Sequence, residues 1–204
     1  MTMKRIVLAS GNHKKLQELQ AILQQAVNFV PQGELGIDDA VEDGLSFIEN
    51  AIIKARHASR LSGLPAIADD SGLAVDALGG KPGIHSARFA NPAGTGNSSD
   101  AANNAKLLDL LREVPAEQRG AQFHCVIALL RHADDPMPLI CQGSWAGRIL
   151  DAPRGNHGFG YDPLFFVPSE GCSSAELPAA RKHALSHRGQ ALRKLQAHWP
   201  WPAA

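Results

Sequence analysis

Two adjacent carboxylates, Asp69 and Asp70, are the residues of this sequence with the clearest capacity for chemistry. They stand in the stretch AIADDSGL, directly after a short apolar run that predicts a buried strand. Side by side in a buried place, two acids repel each other and are costly to desolvate unless a cation or a donor compensates them. A Ser-Gly turn that ends the strand is the alternative interpretation, because Asp, Ser and Gly are common turn residues. The residues alone leave both interpretations open.

A candidate anion site lies near the start of the chain. The segment SGNHKK, residues 10–15, separates a predicted strand from a predicted helix, and this arrangement aims free backbone N–H groups at an anion. It lacks the second glycine and the GK[ST] ending of a Walker loop. Lys14 and Lys15 stand where the helix dipole disfavours cations, so either an anionic ligand or simple solvent exposure accounts for them.

Polar residues also interrupt the second predicted helix. Glu49 matches a capping box with Ser46, which is a structural explanation for that acid. Lys54 lies one turn after Asn50, and its side chain extends either toward the Gly-loop at residues 10–15 or into solvent.

Two further motifs offer a flat ring and cations. GFGYD, residues 158–162, places Phe159 between two glycines, which suits either a base-stacking face or a core aromatic beside a turn. The motif SHR supplies His187 and Arg188, with Lys182 five residues before His187. Basic residues scattered on a terminal helix would give the same pattern.

The elements that must position these residues alternate between strand and helix. Short β-branched or apolar runs predict strands at 5–10, 65–70, 122–132, 138–150 and 163–167. Helical spacing predicts helices at 13–26, 46–62, 98–114 and 176–199, the last with a restart at Ser186. The two long runs around the ADDP turn predict a hairpin, and the whole predicts a mixed sheet.

Composition excludes several classes of protein. The chain has 204 residues, 44% of them hydrophobic, which is enough for one sizeable core. Lys plus Arg and Asp plus Glu are both 20, so there is no global field to attract nucleic acid or an anionic membrane. The three cysteines, without CxxC spacing, favour a reducing compartment. No segment predicts a signal peptide or a membrane span, so we expect a cytoplasmic protein.

Five segments taken together resemble the inosine triphosphate pyrophosphatase family, whose members hydrolyse non-canonical purine nucleoside triphosphates. In chain order they are SGNHKKLQEL, SFIENAIIKA, ADDSGLAVDALGGKPGIHSARFA, GFGYDPLFFVP and LSHRGQAL. The resemblance extends from Ile6 to Leu192. His85 and His157 depart from the family pattern, which commonly has Tyr and Gly there, and so alter the predicted edge of the substrate pocket.

The resemblance implies an elongated, two-lobed α/β fold, with a central twisted mixed sheet flanked by helices and a long substrate cleft. The single domain would span residues 1–204, and members are usually homodimers. The implied catalytic residues are Asp70, Asp69, Lys15 and Lys54, and the implied metal ligands for Mg²⁺ are Asp70 and Glu42. The implied substrate-binding residues are Ser10, Gly11, Asn12, His13, Lys14, Lys15, Ser71, Phe159, Gly160, Tyr161, Asp162, Lys182, His187 and Arg188.

The expected reaction is cleavage of ITP, dITP or XTP to a nucleoside monophosphate and pyrophosphate, which cleanses the nucleotide pool. Two alternatives are a Maf-like nucleotide pyrophosphatase with another base preference and a non-catalytic nucleotide sensor. The GFGYD and SHR motifs favour the purine enzyme over the first, and the paired acids argue against the second. Removing one of those acids is expected to relieve their mutual repulsion and to raise the melting temperature slightly.

Overall fold

A computed structural model describes residues 4–10, 27–91 and 96–200 of the chain. The predicted helix at 13–26, and with it Gly11, Asn12, His13, Lys14 and Lys15, lies outside the described residues. Within them, no helix is long and apolar enough to cross a membrane.

The described residues form seven strands and four α-helices. The strands are β1 (Lys4–Leu8), β2 (Val27–Pro31), β3 (Ala66–Val75), β4 (Gly120–Leu130), β5 (Leu139–Ile149), β6 (Phe165–Val167) and β7 (Cys172–Ser173). The helices are α1 (Phe47–Ser62), α2 (Asp100–Leu110), α3 (Ala179–Leu185) and α4 (His187–Ala197).

The strands form one mixed sheet in the order β2-β1-β3-β4-β5-β6-β7. β1 pairs in parallel with both β2 and β3, whereas β6 pairs antiparallel with β5 and β7. The predicted mixed α/β fold is therefore confirmed. The expected cleft between two lobes stays a prediction.

Contacts divide the chain into two compact units. Unit 1 comprises residues 1–70, 125–142 and 190–204, and unit 2 comprises residues 71–124 and 143–189. The boundaries cut through β3, β4 and β5, so each of these strands contributes residues to both units.

Unit 1 packs a helix against each of two apolar clusters. Alternate residues of β1 enter different clusters, since successive side chains of a strand point to opposite faces. Ile6 and Leu8 pack with Leu192 and Leu195 of α4. Val7 packs with the alanines of α1, which are Ala51, Ala55 and Ala58. Small side chains on that face allow close approach of α1 to the strands, whereas Ile48 of the same helix is 37% exposed.

Unit 2 has an aromatic core of its own. Phe165 is fully buried, and its ring centroid lies 4.5 Å from that of Phe123 and 5.3 Å from that of Trp145. Leu107 and Leu111, from α2 and the residue after it, complete this core. Tyr161 and Leu164 also belong to this core, which thereby fixes the segment after β5 that carries the GFGYD motif.

The interpretation in which a Ser-Gly turn ends the strand that carries Asp69 and Asp70 is wrong. β3 continues to Val75, with Leu73 and Val75 both fully buried in the core of unit 2. The Leu73 N–H donates to Ser86 Oγ at 2.9 Å rather than to solvent. Tertiary packing thus overrides the local turn preference of Asp-Ser-Gly.

Candidate active site

The acid pair lies in the middle of β3 and is buried. Asp69 is 1% exposed and Asp70 is 6% exposed. Two carboxylates in such a place need a compensating cation. In unit 1, that cation is Lys54 of α1.

Lys54 joins three carboxylates into one cluster. Its Nζ donates to Asp70 Oδ1 at 2.9 Å and lies 3.4 Å from Glu42 Oε1. Burial alone lowers the pKa of Lys54, but the attraction of Asp70, Asp69 and Glu42 outweighs burial, and the net pKa is raised. The ammonium therefore stays protonated at neutral pH, and the alternative of a solvated Lys54 is wrong.

The start of α1 determines where this lysine and Glu42 lie. Ser46 caps the helix by accepting the Glu49 N–H on its hydroxyl at 3.2 Å. The Glu49 carboxylate binds that hydroxyl at 2.8 Å and the Leu45 N–H at 2.9 Å. Glu49 is therefore a structural residue, as its capping pattern predicted, although it reaches Leu45 rather than the Ser46 N–H.

Asn50 fixes the loop that carries Glu42. Its Oδ1 accepts the Gly44 N–H at 2.9 Å, and the residue is fully buried. A Cβ at Gly44 would lie only 2.7 Å from that Oδ1, so glycine is needed for the close approach. Asn50 and Lys54 are one helical turn apart, so one face of α1 holds both the loop and the ammonium.

Ser10 is the one described residue of the predicted anion loop. The register of β1 on β3 pairs Leu8 with Ile67, and the Ala9 N–H donates to Ile67 O at 2.8 Å. Ser10 follows Leu8 by two residues, as Asp69 follows Ile67 by two. Ser10, the first residue of the predicted loop, therefore lies at the level of the acids.

The second group of candidate residues lies in unit 2 and centres on Asp162. This carboxylate is 3% exposed and accepts from Lys182 Nζ at 2.5 Å, Ser174 Oγ at 2.9 Å and the Phe159 N–H at 2.8 Å. A Cβ at Gly158, where φ is +77°, would overlap the same carboxylate. Asp162 thus organises the GFGYD motif and fixes Lys182 beside it.

Two cations lie close to the half-buried ring of Phe159. Lys182 Nζ is 5.2 Å and Arg188 Cζ is 5.8 Å from its centroid. Arg188 Nη2 donates to Ser71 Oγ at 2.9 Å, and His187 stacks on Phe123 with centroids 4.8 Å apart. The structure therefore brings the SHR and GFGYD motifs together, as the sequence could only suggest.

Tyr161 has a structural position within this group. It is 5% exposed, packs in the core of unit 2, and donates its hydroxyl to Ser86 O at 2.8 Å. Burial, and to a smaller extent the charge of Asp100, raise the pKa of its phenol. The predicted contact of Tyr161 with substrate stays a prediction, and the side chain already has a partner.

Sequence reasoning missed several residues that hold these groups. Asn50 was noticed only as an interruption of an apolar helix, and Ser174, Phe123, Asp100 and Asn104 were not considered as site residues. Asn104 Nδ2 donates to Gly160 O at 3.0 Å, and the Gly160 N–H donates to Asp100 Oδ2 at 2.7 Å. The only available signal was the Ser99 cap that predicts where α2 begins.

The acid cluster supplies carboxylate oxygens, which are suitable ligands for a hard divalent cation. Mg²⁺ prefers carboxylate oxygens and is commonly bound by one or two carboxylates plus substrate phosphates. Asp70 and Glu42 share the Lys54 ammonium and so present carboxylate oxygens around one point. Among the described residues, no group of three or more His, Cys, Asp or Glu side chains is arranged to hold a metal by itself.

Two known proteins are similar to this chain over nearly its whole length. A dITP/XTP pyrophosphatase of Pseudomonas syringae pv. tomato is 61% identical over 192 residues, 94% of this chain and 95% of the relative. A dITP/XTP pyrophosphatase of Escherichia coli O157:H7 is 58% identical over 95% of this chain and 96% of the relative.

Solved structures and a family profile extend the similarity. A HAM1 protein from Coxiella burnetii superposes with a TM-score of 0.89 at 49% identity, covering 96% of this chain and 98% of that chain. The profile of the Ham1 family matches residues 6–198. The resemblance drawn from the motifs is confirmed, and the chain belongs to the Ham1 family.

Proposed function

We propose that this protein is a nucleoside triphosphate pyrophosphatase that hydrolyses dITP, XTP and ITP to the monophosphate and pyrophosphate. It would thereby remove non-canonical purines from the nucleotide pool. The observation that carries the proposal is the 61% identity, over 94% of the chain, to a protein named dITP/XTP pyrophosphatase. The acid cluster supplies chemistry suited to a triphosphate, and the residues around Phe159 supply chemistry suited to a purine.

The acid cluster serves the triphosphate. Asp70 and Glu42 would hold Mg²⁺, which neutralises phosphate charge and lowers the pKa of a bound water. Asp70 orients the attacking water and accepts its proton, and Asp69 beside it raises the local negative charge. Lys54, held at 2.9 Å from Asp70, stabilises the negative charge that develops on the leaving pyrophosphate.

The loop at residues 10–15 binds the phosphate oxygens in this proposal. Its backbone N–H groups, the Ser10 hydroxyl and the Lys15 ammonium are donors for a triphosphate that carries about four negative charges. The parallel pairing of β1 with β3 supports this role, because it starts the loop at the level of Asp69 and Asp70.

The second group of candidate residues, which surrounds the ring of Phe159, serves the purine. The ring offers a stacking face, which tolerates any base. Arg188, Lys182 and His187 are donors for the carbonyl oxygen at position six of hypoxanthine and xanthine, where adenine carries an amino group. A donor facing that amino group would be left unpaired, and this penalty disfavours ATP. Ser71 would orient Arg188 through the hydrogen bond already present.

A substrate panel tests the proposal. The protein is incubated with dITP, XTP, ATP and dTTP, each with Mg²⁺ and with EDTA, and pyrophosphate and phosphate are assayed separately. Metal-dependent release of pyrophosphate, fastest from dITP and XTP, is the expected result. Preference for dTTP would indicate a Maf-like base preference, and tight binding without pyrophosphate release would indicate a nucleotide sensor. Release of phosphate alone would refute the assigned cleavage.

The oligomeric state and the location are part of the same proposal. We propose a cytoplasmic homodimer with no nucleic-acid or membrane partner. The balanced charge of 20 cationic and 20 anionic residues supports the absence of those partners. Light scattering after size-exclusion chromatography measures the mass, and a single peak at the mass of one 21.7 kDa chain would contradict the dimer.

A further inference from the structure

We propose that Asp100 and Asn104 of α2 are positioning residues for the base site, because they hold Gly160 and thereby fix the ring of Phe159. The inference rests on the proposed function for the identity of the ligand. Neither residue belongs to the motifs that indicated the site. Both act on the backbone of the GFGYD loop from a different element of unit 2.

The contacts hold three polar groups of the backbone around Phe159. The Gly160 N–H donates to Asp100 Oδ2 at 2.7 Å, and Gly160 O accepts from Asn104 Nδ2 at 3.0 Å. On the other side, the Phe159 N–H donates to Asp162 Oδ2 at 2.8 Å. The Phe159 backbone is therefore held by side chains both before and after its Cα.

We call the two hydrogen bonds of Asp100 and Asn104 to the Gly160 backbone the clamp. The geometry of α2 makes it possible. Asp100 and Asn104 are four residues apart, so their side chains lie on the same face of the helix, one turn apart. That spacing lets one residue accept from the N–H of Gly160 while the other donates to its C=O. Ser99 caps the same helix by accepting the Ala102 N–H on its hydroxyl at 3.2 Å.

Hydrogen bonds, rather than packing, fix this part of the loop. Gly160 has φ +62° and no side chain, and apart from its two chain neighbours no described residue has a heavy atom within 4 Å of the point where a Cβ would stand. Phe159 and Gly160 line a cavity of about 480 Å³, together with His157, Pro163 and Leu108. Because close-packed neighbours are replaced there by open space, loss of the clamp lets the loop shift toward the cavity.

The clamp also limits how the loop recognises a base. The N–H groups of Phe159 and Gly160 are already donated to Asp162 and Asp100. They are therefore committed to positioning, and the loop contributes the ring as its binding surface. A displaced ring would weaken binding of all purines alike, since stacking does not discriminate between them.

Four variants of the full chain test the inference. We expect Asp100→Ala and Asn104→Ala to raise KM for dITP and XTP by about tenfold with kcat within about twofold of wild type, the pattern for lost ground-state binding. Asp100→Asn keeps an acceptor for the Gly160 N–H and should retain KM within about twofold. Ser99→Ala removes the helix cap without touching Gly160, so its melting temperature should fall while its KM stays unchanged.

Two measurements separate this inference from the proposed function. Calorimetric Kd values for dIMP report base binding without turnover, and we expect the two alanine variants to weaken it by the same factor as KM. If the wild type has no pyrophosphatase activity but Asp100→Ala still binds dIMP more weakly than the wild type does, the proposed activity is refuted and the clamp is supported. A KM and Kd for Asp100→Ala within about twofold of wild type, or an equal rise in Ser99→Ala, would overturn the clamp.

Discussion

Replacing Asp70 by Asn tests the centre of the acid cluster, because the change removes a charge and keeps the shape. Asp70 accepts from Lys54 at 2.9 Å in β3, and Asn offers a neutral oxygen at the same place. The proposed proton acceptor and one of the two proposed metal ligands are lost together. We expect kcat for dITP to fall at least about 100-fold, which corresponds to at least about 2.7 kcal/mol of transition-state stabilisation.

The effect on stability follows from the lysine. At an effective dielectric constant of about 20, unit charges 2.9 Å apart attract by about 6 kcal/mol before desolvation is subtracted. In Asp70→Asn, Lys54 still has Glu42 at 3.4 Å and Asp69 nearby as counter-charges. Much of the electrostatic stabilisation of its ammonium therefore remains. We expect the free energy of unfolding to fall by about 1 to 2 kcal/mol, or roughly 2 to 8 °C in melting temperature. Loss of the ion pair is thus expected to outweigh the slight rise in melting temperature that relief of the repulsion between the adjacent acids predicts.

A matched control separates lost chemistry from lost stability. Asp135 is another buried acid of unit 1, 1% exposed, and Arg131 Nη2 donates to it at 2.6 Å. The hydrogen bonds from Arg131 hold the pKa of Asp135 well below its usual range against the opposing effect of burial. Asp135→Asn should therefore also lower the melting temperature, with kcat/KM unchanged. A kcat for Asp70→Asn within tenfold of wild type, or an equal loss in Asp135→Asn, would refute the reasoning.

Three other predictions concern Lys54, Tyr161 and the base. Because nearby carboxylates raise the pKa of Lys54 against the effect of burial, its contribution to the free energy of unfolding is complete below about pH 10.5 and is lost as the pH rises through the higher pKa of the folded state. Urea unfolding between about pH 9 and 11.5 should therefore show the wild type losing stability relative to Lys54→Arg. Tyr161→Phe leaves Ser86 O without its donor, so thermal unfolding should report a loss of about 1 to 3 kcal/mol with kcat/KM for dITP unchanged. Arg188→Ala should narrow the dITP to ATP ratio of kcat/KM, whereas Phe159→Ala should weaken both substrates alike; an unchanged ratio in Arg188→Ala would place selectivity elsewhere.

The sequence predicts elements well where one pattern repeats over several turns or residues. Helix α1 begins after Ser46 as its cap indicates, and the terminal helix restarts after Ser186, whose hydroxyl accepts the Gly189 N–H at 3.1 Å. The sequence patterns predict neither β2 nor β7. β7 has only two residues and is defined by its pairing with β6, so it is too short to carry a local pattern. β2 has five residues, as many as the predicted β1, and is defined by its parallel pairing with that strand.

The site was predictable in its charged members and not in the residues that hold them. The resemblance of the motifs to the family implied Asp70, Lys182 and Arg188, whereas each motif alone left a structural interpretation open. Asp100 meets Gly160 across 60 positions of sequence and Ser174 meets Asp162 across 12. Such contacts depend on the folded sheet, and no spacing along the chain encodes them.

Stability alone does not explain why each of the two groups contains a buried lysine–aspartate pair. Lys54 and Asp70 are 13% and 9% exposed at their side chains, and Lys182 and Asp162 are 11% and 4% exposed. A buried ion pair is a weak source of stability, because desolvation offsets much of its Coulomb attraction, and apolar residues of similar volume often replace it without loss. A buried charge does, however, act on a ligand through a low dielectric and needs no reorganisation when the ligand arrives. We therefore infer that both lysine pairs are present for nucleotide chemistry, with the helix cap at Ser46 and the core of unit 2 supplying the stability that the pairs do not.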